Sequence, residues 1–286
     1  MMKNLLRYAT VAAVVVSLVG FAKFCLAAEE APPKKIVLIA GKKSHGPSTH
    51  EYEKGARLFK ECLDKSPNVK GLKTVVVTNG WPENEKLLDD AATIVLFSDG
   101  SDHNEKDHPL LNDERMEVVA RQMKRGCGYV ALHYTTFTPR EKSPQFLEWL
   151  GGFYDYESGP PPKNWWSKHE VGDYSLKLPT PDHAIATGVQ SFKLHEEVYY
   201  QMRFRTPDER RKNLLNFGDD VELGTIAWAI ERADGGRGFG YTGGHFHKNW
   251  GEENIRRLVL NAIVWTAKAD VPTGGVQSSL PADWEK

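Results

Sequence analysis

The chain has 286 residues, 40% of them hydrophobic and 26% charged, with a formal net charge of −1. This balance excludes a disordered chain and offers no broad basic footprint for nucleic acid. Three cysteines without a C-x-x-C pair exclude a disulfide scaffold, a zinc ribbon and a dithiol redox centre, whereas ten histidines supply the side chain that ionises near neutral pH and most often binds metals.

Residues 1–28 carry Lys3 and Arg7, then an apolar run from Val11 to Ala22, then small residues around Cys25-Leu26-Ala27-Ala28. A basic start, an apolar centre and a small-residue end read as a secretory signal peptide, with an uncleaved anchor as the alternative. The expectation is an exported protein, periplasmic or secreted, with no stable membrane span after cleavage. Cleavage removes three cations and no acid, lowering the formal charge from −1 to −4, and takes Cys25 with it. Residues 29–34 form a short polar leader.

From there the chain alternates. Apolar runs at Lys35–Gly41, Leu72–Thr78, Ala92–Ser98 and Gly126–His133 suit strands buried on both faces. Helical spacing covers Glu51–Leu63, Asn112–Arg125 and a short stretch at Phe146–Leu150. This rhythm predicts a mostly parallel sheet with helices on both sides. It breaks at Gly151, and residues 151–182 read mainly as loop, with a strand near Tyr174–Leu178. Further strands are expected at 196–206, 213–218, 225–232 and 238–244, before a closing helix at Glu252–Ala267. Residues 35–269 form one α/β domain, and 270–286 an extended C-terminal arm.

Ligands of open α/β sheets bind beyond the carboxyl ends of the strands. Six histidines fall there: His45 and His50 after the first strand, His103 after the third, His133 ending the fourth, and His245 and His247 ending the strand before the last helix. His45 and His50 either flank a helix start that takes a polar ligand or are solvated loop residues. His133 lies at the sheet rim or is buried on a backbone carbonyl. On an extended segment, His245 and His247 share one face behind Gly243-Gly244. Glu196 and Glu197 follow His195 on opposite faces, so one of them points inward. Asp99 and Asp102 either orient a histidine, bind sugar hydroxyls or form turns. Trp165, Trp166, Trp250, Tyr134 and Tyr154 either stack on sugar rings or cover the domain edge. Cys62 and Cys127 are not placed as nucleophiles, and no serine elbow, P-loop or dinucleotide fingerprint is present.

Five blocks in order, HGPSTHEYEKGARLF, TIVLFSDGSDH, GYVALHYTTF, PDHAIATGVQSFKLHEEVYY and GRGFGYTGGHFHKNWGEENIRRLVLNAIVWTA, resemble the ThuA-like (trehalose utilisation) family from Lys35 to Ala267. The resemblance implies a class I glutamine amidotransferase-like fold, a flavodoxin-like three-layer α/β sandwich. Where such amidotransferases carry a nucleophilic cysteine this chain has His133. The late histidine is His245, followed by Phe246-His247 rather than proline and glutamate, so no glutaminase is expected. The family's link is to disaccharide breakdown through 3-keto sugars. A keto group acidifies the neighbouring C–H, which suits histidine acid–base chemistry. On this reading His133 and His245 are catalytic, while His45, His50, Asp102, His103, Tyr134, Glu196, His247 and Trp250 contact a small carbohydrate, with no nucleic-acid partner. One alternative is a divalent, zinc-like metal held by some of His45, His133, His245 and His247. Another is a carbohydrate-binding protein without catalysis.

Overall fold

A computed structural model describes residues 31–156 and 166–285. The expected signal peptide at 1–28, residues 29–30 of the expected leader and Trp165 lie outside the described residues. Among the described residues, no helix is long and apolar enough to cross a membrane.

The elements follow in the order β1 (Lys34–Ala40), α1 (Tyr52–Asp64), β2 (Leu72–Val77), β3 (Ala91–Phe97), α2 (Arg115–Lys124), β4 (Gly128–Leu132) and α3 (Ser143–Trp149). After these come β5 (Gly152–Phe153), β6 (Lys168–Leu176), β7 (Phe192–Tyr200), β8 (Arg203–Phe204), β9 (Arg211–Asn216), α4 (Val221–Gly224), β10 (Thr225–Glu231), β11 (Arg237–Tyr241) and α5 (Glu253–Thr266). Seven strands form the central sheet in the order β2-β1-β3-β4-β11-β10-β9. β2, β1, β3, β4 and β11 pair in parallel, and β10 runs antiparallel to both β11 and β9.

Alternation along each strand divides the apolar side chains between two cores. Ile36, Leu38, Val95, Phe97, Val130 and Leu132 pack with α1 and α5. Val37, Ile39, Ile94, Leu96, Tyr129 and Ala131 pack with α2 and α3 on the other face. The fold is therefore a three-layer α/β sandwich with a mostly parallel central sheet, and its β2-β1-β3-β4 order is that of flavodoxin-like sheets. A Cβ at Gly128 would lie 2.3 Å from the Thr266 carbonyl oxygen, so glycine at the start of β4 lets α5 sit directly on the sheet.

Several predicted boundaries change. The strand expected at 196–206 is β7, which starts earlier at Phe192 and ends at Tyr200, followed by the separate β8 in another two-stranded sheet. β6 starts at Lys168 rather than near Tyr174 and pairs along its whole length with β7 in a separate two-stranded sheet. β11 ends at Tyr241, so His245 and His247 stand beyond the strand. The C-terminal arm is extended and lies against the domain. Val276 N donates to Asn261 Oδ1 at 2.8 Å, Gln277 N donates to Asn68 Oδ1 at 3.0 Å, and Arg256 Nε donates to Ser278 Oγ at 3.0 Å.

Candidate functional site

Four segments meet beyond the carboxyl ends of the parallel strands: the loop 41–51 after β1, the loop 98–104 after β3, the 3-10 turn His133–Thr136 after β4, and residues 242–246 after β11. The first and last are tied by backbone. His50 N donates to His245 O at 3.0 Å and His247 N to Ser48 O at 2.9 Å, around a Thr49–Phe246 bridge. His50 and His133 have φ of 48° and 53°, a left-handed region uncommon for side-chain-bearing residues and enriched at functional sites. Gly244, at φ 110°, could not carry a Cβ without meeting the Trp250 ring at 2.8 Å.

These backbones bring three imidazoles and a carboxylate together. His50 Nε2 lies 2.9 Å from His245 Nδ1 and 3.1 Å from His133 Nε2. From β7, Glu197 Oε2 lies 3.0 Å from His245 Nδ1 and 3.6 Å from His133 Nε2. The Tyr199 hydroxyl, two residues along β7, is 2.9 Å from His133 Nε2, and its ring stacks on His133. His133 is fully buried and His50 nearly so, whereas the side chains of His245 and Glu197 each keep 17% exposure.

Asp99 determines which nitrogens carry protons. Ser44 Oγ and the Tyr52 hydroxyl each donate to Asp99 Oδ1 at 2.6 Å. Burial opposes ionisation of Asp99, but the nearby His50 ring and hydrogen bonds from Ser44 and Tyr52 hold its carboxyl below the usual range. Both hydroxyl protons are thus committed. His45 Nδ1, 2.7 Å from Ser44 Oγ, and His50 Nδ1, 2.7 Å from the Tyr52 oxygen, must then be the donors in those contacts. His133 Nδ1 is 2.8 Å from the Thr242 carbonyl, which can only accept. In the neutral rings, Nε2 of His45, His50 and His133 is therefore a lone pair.

Burial pushes the His133 imidazole well below its ordinary range, and the His50 ring adds to this. Burial also lowers His50, against the pull of the Asp99 carboxylate 3.7 Å from its Nδ1. For Glu197 burial works the other way, yet the His245 hydrogen bond and nearby imidazoles outweigh it and keep the carboxyl low.

A cavity of about 260 Å³ opens over this cluster. His45, His50, His245 and Glu197 form its floor side, and Tyr134, Phe137 and Tyr199 bring aromatic faces. The Tyr134 hydroxyl donates to Asp102 Oδ1 at 2.5 Å, which places Asp102 on the wall, and His103 stands exposed at the rim.

Of the residues expected from sequence, His45, His50, Asp102, His103, Tyr134 and His245 line this cavity, and His133 lies beneath it. Three do not reach it. His247 opens a 3-10 turn, so strand alternation no longer carries it to the face of His245, and its Nε2 donates to the Trp284 carbonyl at 2.9 Å. Trp250 is buried against Phe59 and Phe97 and supports the 242–246 segment from below. Glu196 is fully buried and accepts from the backbone N–H groups of Glu197, Gly244 and Phe246 and from Asn249 Nδ2, so it holds the loop while Glu197 faces the cavity. Of the metal candidates, His133 and His245 converge with His50. His45 packs on the outer side of His50, its ring centroid 3.6 Å away, near Asp99. Of the two glutamates, of which one was expected to point inward, it is Glu197 rather than Glu196 that faces the cavity, and Tyr199, Tyr52, Phe137 and His169 join the site without a sequence expectation. The shared parity of Glu197 and Tyr199 along β7 is the signal that could have found those two.

A family model described as trehalose utilisation, ThuA, matches residues 36–266. No match was found among curated proteins. Among solved structures, a ThuA-like protein of Bacteroides uniformis superposes with a TM-score of 0.62 at 16% identity, covering 84% of this chain and 94% of that one. A second ThuA-like protein, of Parabacteroides merdae, gives a TM-score of 0.58 at 17% identity, covering 88% and 94%. The match over most of the chain shows that this protein belongs to the ThuA family of trehalose utilisation, which gives it a carbohydrate-related role.

Proposed function

We propose that the protein is an exported enzyme of disaccharide breakdown that acts on a keto-sugar by histidine acid–base chemistry. The family supports the carbohydrate, and the aromatic walls with adjacent carboxylate and imidazole groups suit a sugar's apolar and hydroxyl faces. The cavity is near the lower end of the roughly 300–1,000 Å³ usual for small-molecule sites, which favours one ring inside and the second outside.

The observation that carries the chemistry is the Asp99–Ser44–His45 chain. It fixes the proton of neutral His45 on Nδ1 and leaves Nε2 as a base on a side chain that lines the cavity. His45 takes the proton from the carbon next to the ring carbonyl. The C–H electron pair moves onto the carbonyl oxygen, which is held at the cluster beside His245. Return of the proton to a ring carbon gives an isomer; alternatively the enolate electrons return to form a C=C bond as the glycosidic C–O bond breaks, the leaving oxygen takes the proton held by His45, and an unsaturated keto-sugar results. His133 supports His50 from below rather than touching the sugar.

The test is solvent deuterium exchange next to the carbonyl of a 3-keto-disaccharide, followed by NMR. The native chain should exchange and convert the sugar, and His45→Ala should slow both by about 10²–10⁴-fold. Binding without exchange or conversion by the native chain would leave a carbohydrate-binding protein. An unchanged His45→Ala rate would remove His45 as the base.

A further inference from the structure

The hydrogen-bond arrangement leaves one contact without a proton. His50 Nε2 and His133 Nε2 face each other at 3.1 Å, and in neutral rings both are lone pairs, because Tyr52 and Thr242 fix the ring protons on the opposite nitrogens. His245 Nδ1 and Glu197 Oε2 close the same small space. Tyr199 brings one hydroxyl proton to His133 Nε2, and a proton on His245 Nδ1 can serve Glu197 or His50, but neither lies between the two Nε2 atoms. Each nitrogen can find a proton elsewhere, but two lone pairs facing each other at 3.1 Å repel unless something electropositive stands between them.

We propose that His50 Nε2, His133 Nε2, His245 Nδ1 and Glu197 Oε2 are the ligands of a divalent transition-metal ion of the zinc class. All four atoms lie within 4.8 Å of one another. Ligands at about 2.0–2.1 Å from one ion stand roughly 2.9–3.4 Å apart at octahedral to tetrahedral angles. Four of the six separations here are 2.9, 3.0, 3.1 and 3.6 Å, and the remaining two lie within 4.8 Å. Three imidazoles and one carboxylate favour zinc, cobalt, nickel or iron over the all-oxygen preference of calcium and magnesium. The outer contacts are those of metal-bound histidines: His133 Nδ1–H donates to a backbone carbonyl, and His50 Nδ1–H donates through Tyr52 to Asp99. His245 and Glu197 line the cavity and give the ion a way in. A cation here would sit where the proposed reaction develops negative charge, but the metal site stands on the ligand geometry alone and goes beyond the sugar reading.

The experiment uses the full chain, stripped with a chelator and titrated with Zn²⁺ by calorimetry and with Co²⁺ by visible absorption, without sugar. One ion per chain and the spectrum of a nitrogen-rich low-coordinate Co²⁺ site are expected. His245→Ala and Glu197→Gln, both at the cavity surface, should weaken binding at least 100-fold. Tyr52→Phe, which keeps all four ligands, should weaken it about 10–100-fold. His195→Ala, an exposed histidine outside the cavity, should leave it unchanged. No stoichiometric binding, or binding that His245→Ala and Glu197→Gln leave intact, would overturn the proposal. Deuterium exchange in the absence of bound metal would still support the sugar chemistry, and metal binding without exchange would defeat that chemistry alone.

Discussion

His108 is fully buried after β3 with both ring nitrogens in use. Its Nε2 donates to the Thr135 carbonyl at 3.1 Å and its Nδ1 accepts from Leu110 N at 3.2 Å, an arrangement only the neutral ring satisfies. Burial pushes its pKa down to about 4. The unfolded chain takes up this proton near pH 6.5 and the folded chain does not, so stability falls as pH drops from 6.5 to about 4. The full loss is about 3 kcal/mol at 1.36 kcal/mol per pK unit. Urea denaturation at pH 7 and pH 4.5 should show a steeper loss for the native chain than for His108→Leu; equal pH slopes would refute this. At the residue scale the sequence was legible where a histidine follows a strand directly, as His133 does, or lies in the loop just after one, as His45 does. It was not legible where one residue of register decides: Glu196 and Glu197 differ only in parity, and parity depends on pairing partners hundreds of atoms away.

At the scale of elements, β7 serves both faces of its own backbone. Glu197 and Tyr199 reach the cluster, while Glu196 braces the 242–246 segment. Replacing Glu196 with alanine leaves three backbone N–H groups and the Asn249 amide short of an acceptor. A loss of about 2–4 kcal/mol is expected in chemical denaturation; a loss under half a kcal/mol would mean that the loop holds itself. β1 to β4 were legible because strands buried on both faces read as unbroken apolar runs. β6 was largely hidden because most of its residues are exposed and polar, so only its end near Tyr174–Leu176 carried an apolar signal. The extent of β11 was overread because Gly243-Gly244 look compatible with a strand, although the chain turns there.

Across the whole molecule, the C-terminal arm is part of the fold's surface seal. The Ser279 carbonyl lies 3.9 Å from Cys62 Sγ, and Trp284 packs on His247 and Gly251. Burial raises the Cys62 thiol above its ordinary range, and burial takes Cys127 to about 11. Ending the chain after Asp270 should therefore raise the rate of Cys62 modification by a thiol reagent at least tenfold while Cys127 stays buried at the start of the central strand β4. Equal rates in the two proteins would show that the arm does not cover Cys62. The arm's extended form was legible from its turn-forming residues, but its contacts were not, because they are made to Asn68, Asn261 and Arg256 far away in the chain.

The bridge between Thr49 and Phe246 has a wider consequence. His50 and His245 are 195 positions apart, yet neighbouring backbones hold them, so no fragment shorter than residues 45–245 contains the cavity. The pocket comes into being only when the two ends of the domain have closed on each other. Whatever occupies it therefore acts as a fastener of the finished chain, gripping the native state and having nothing to grip in any other.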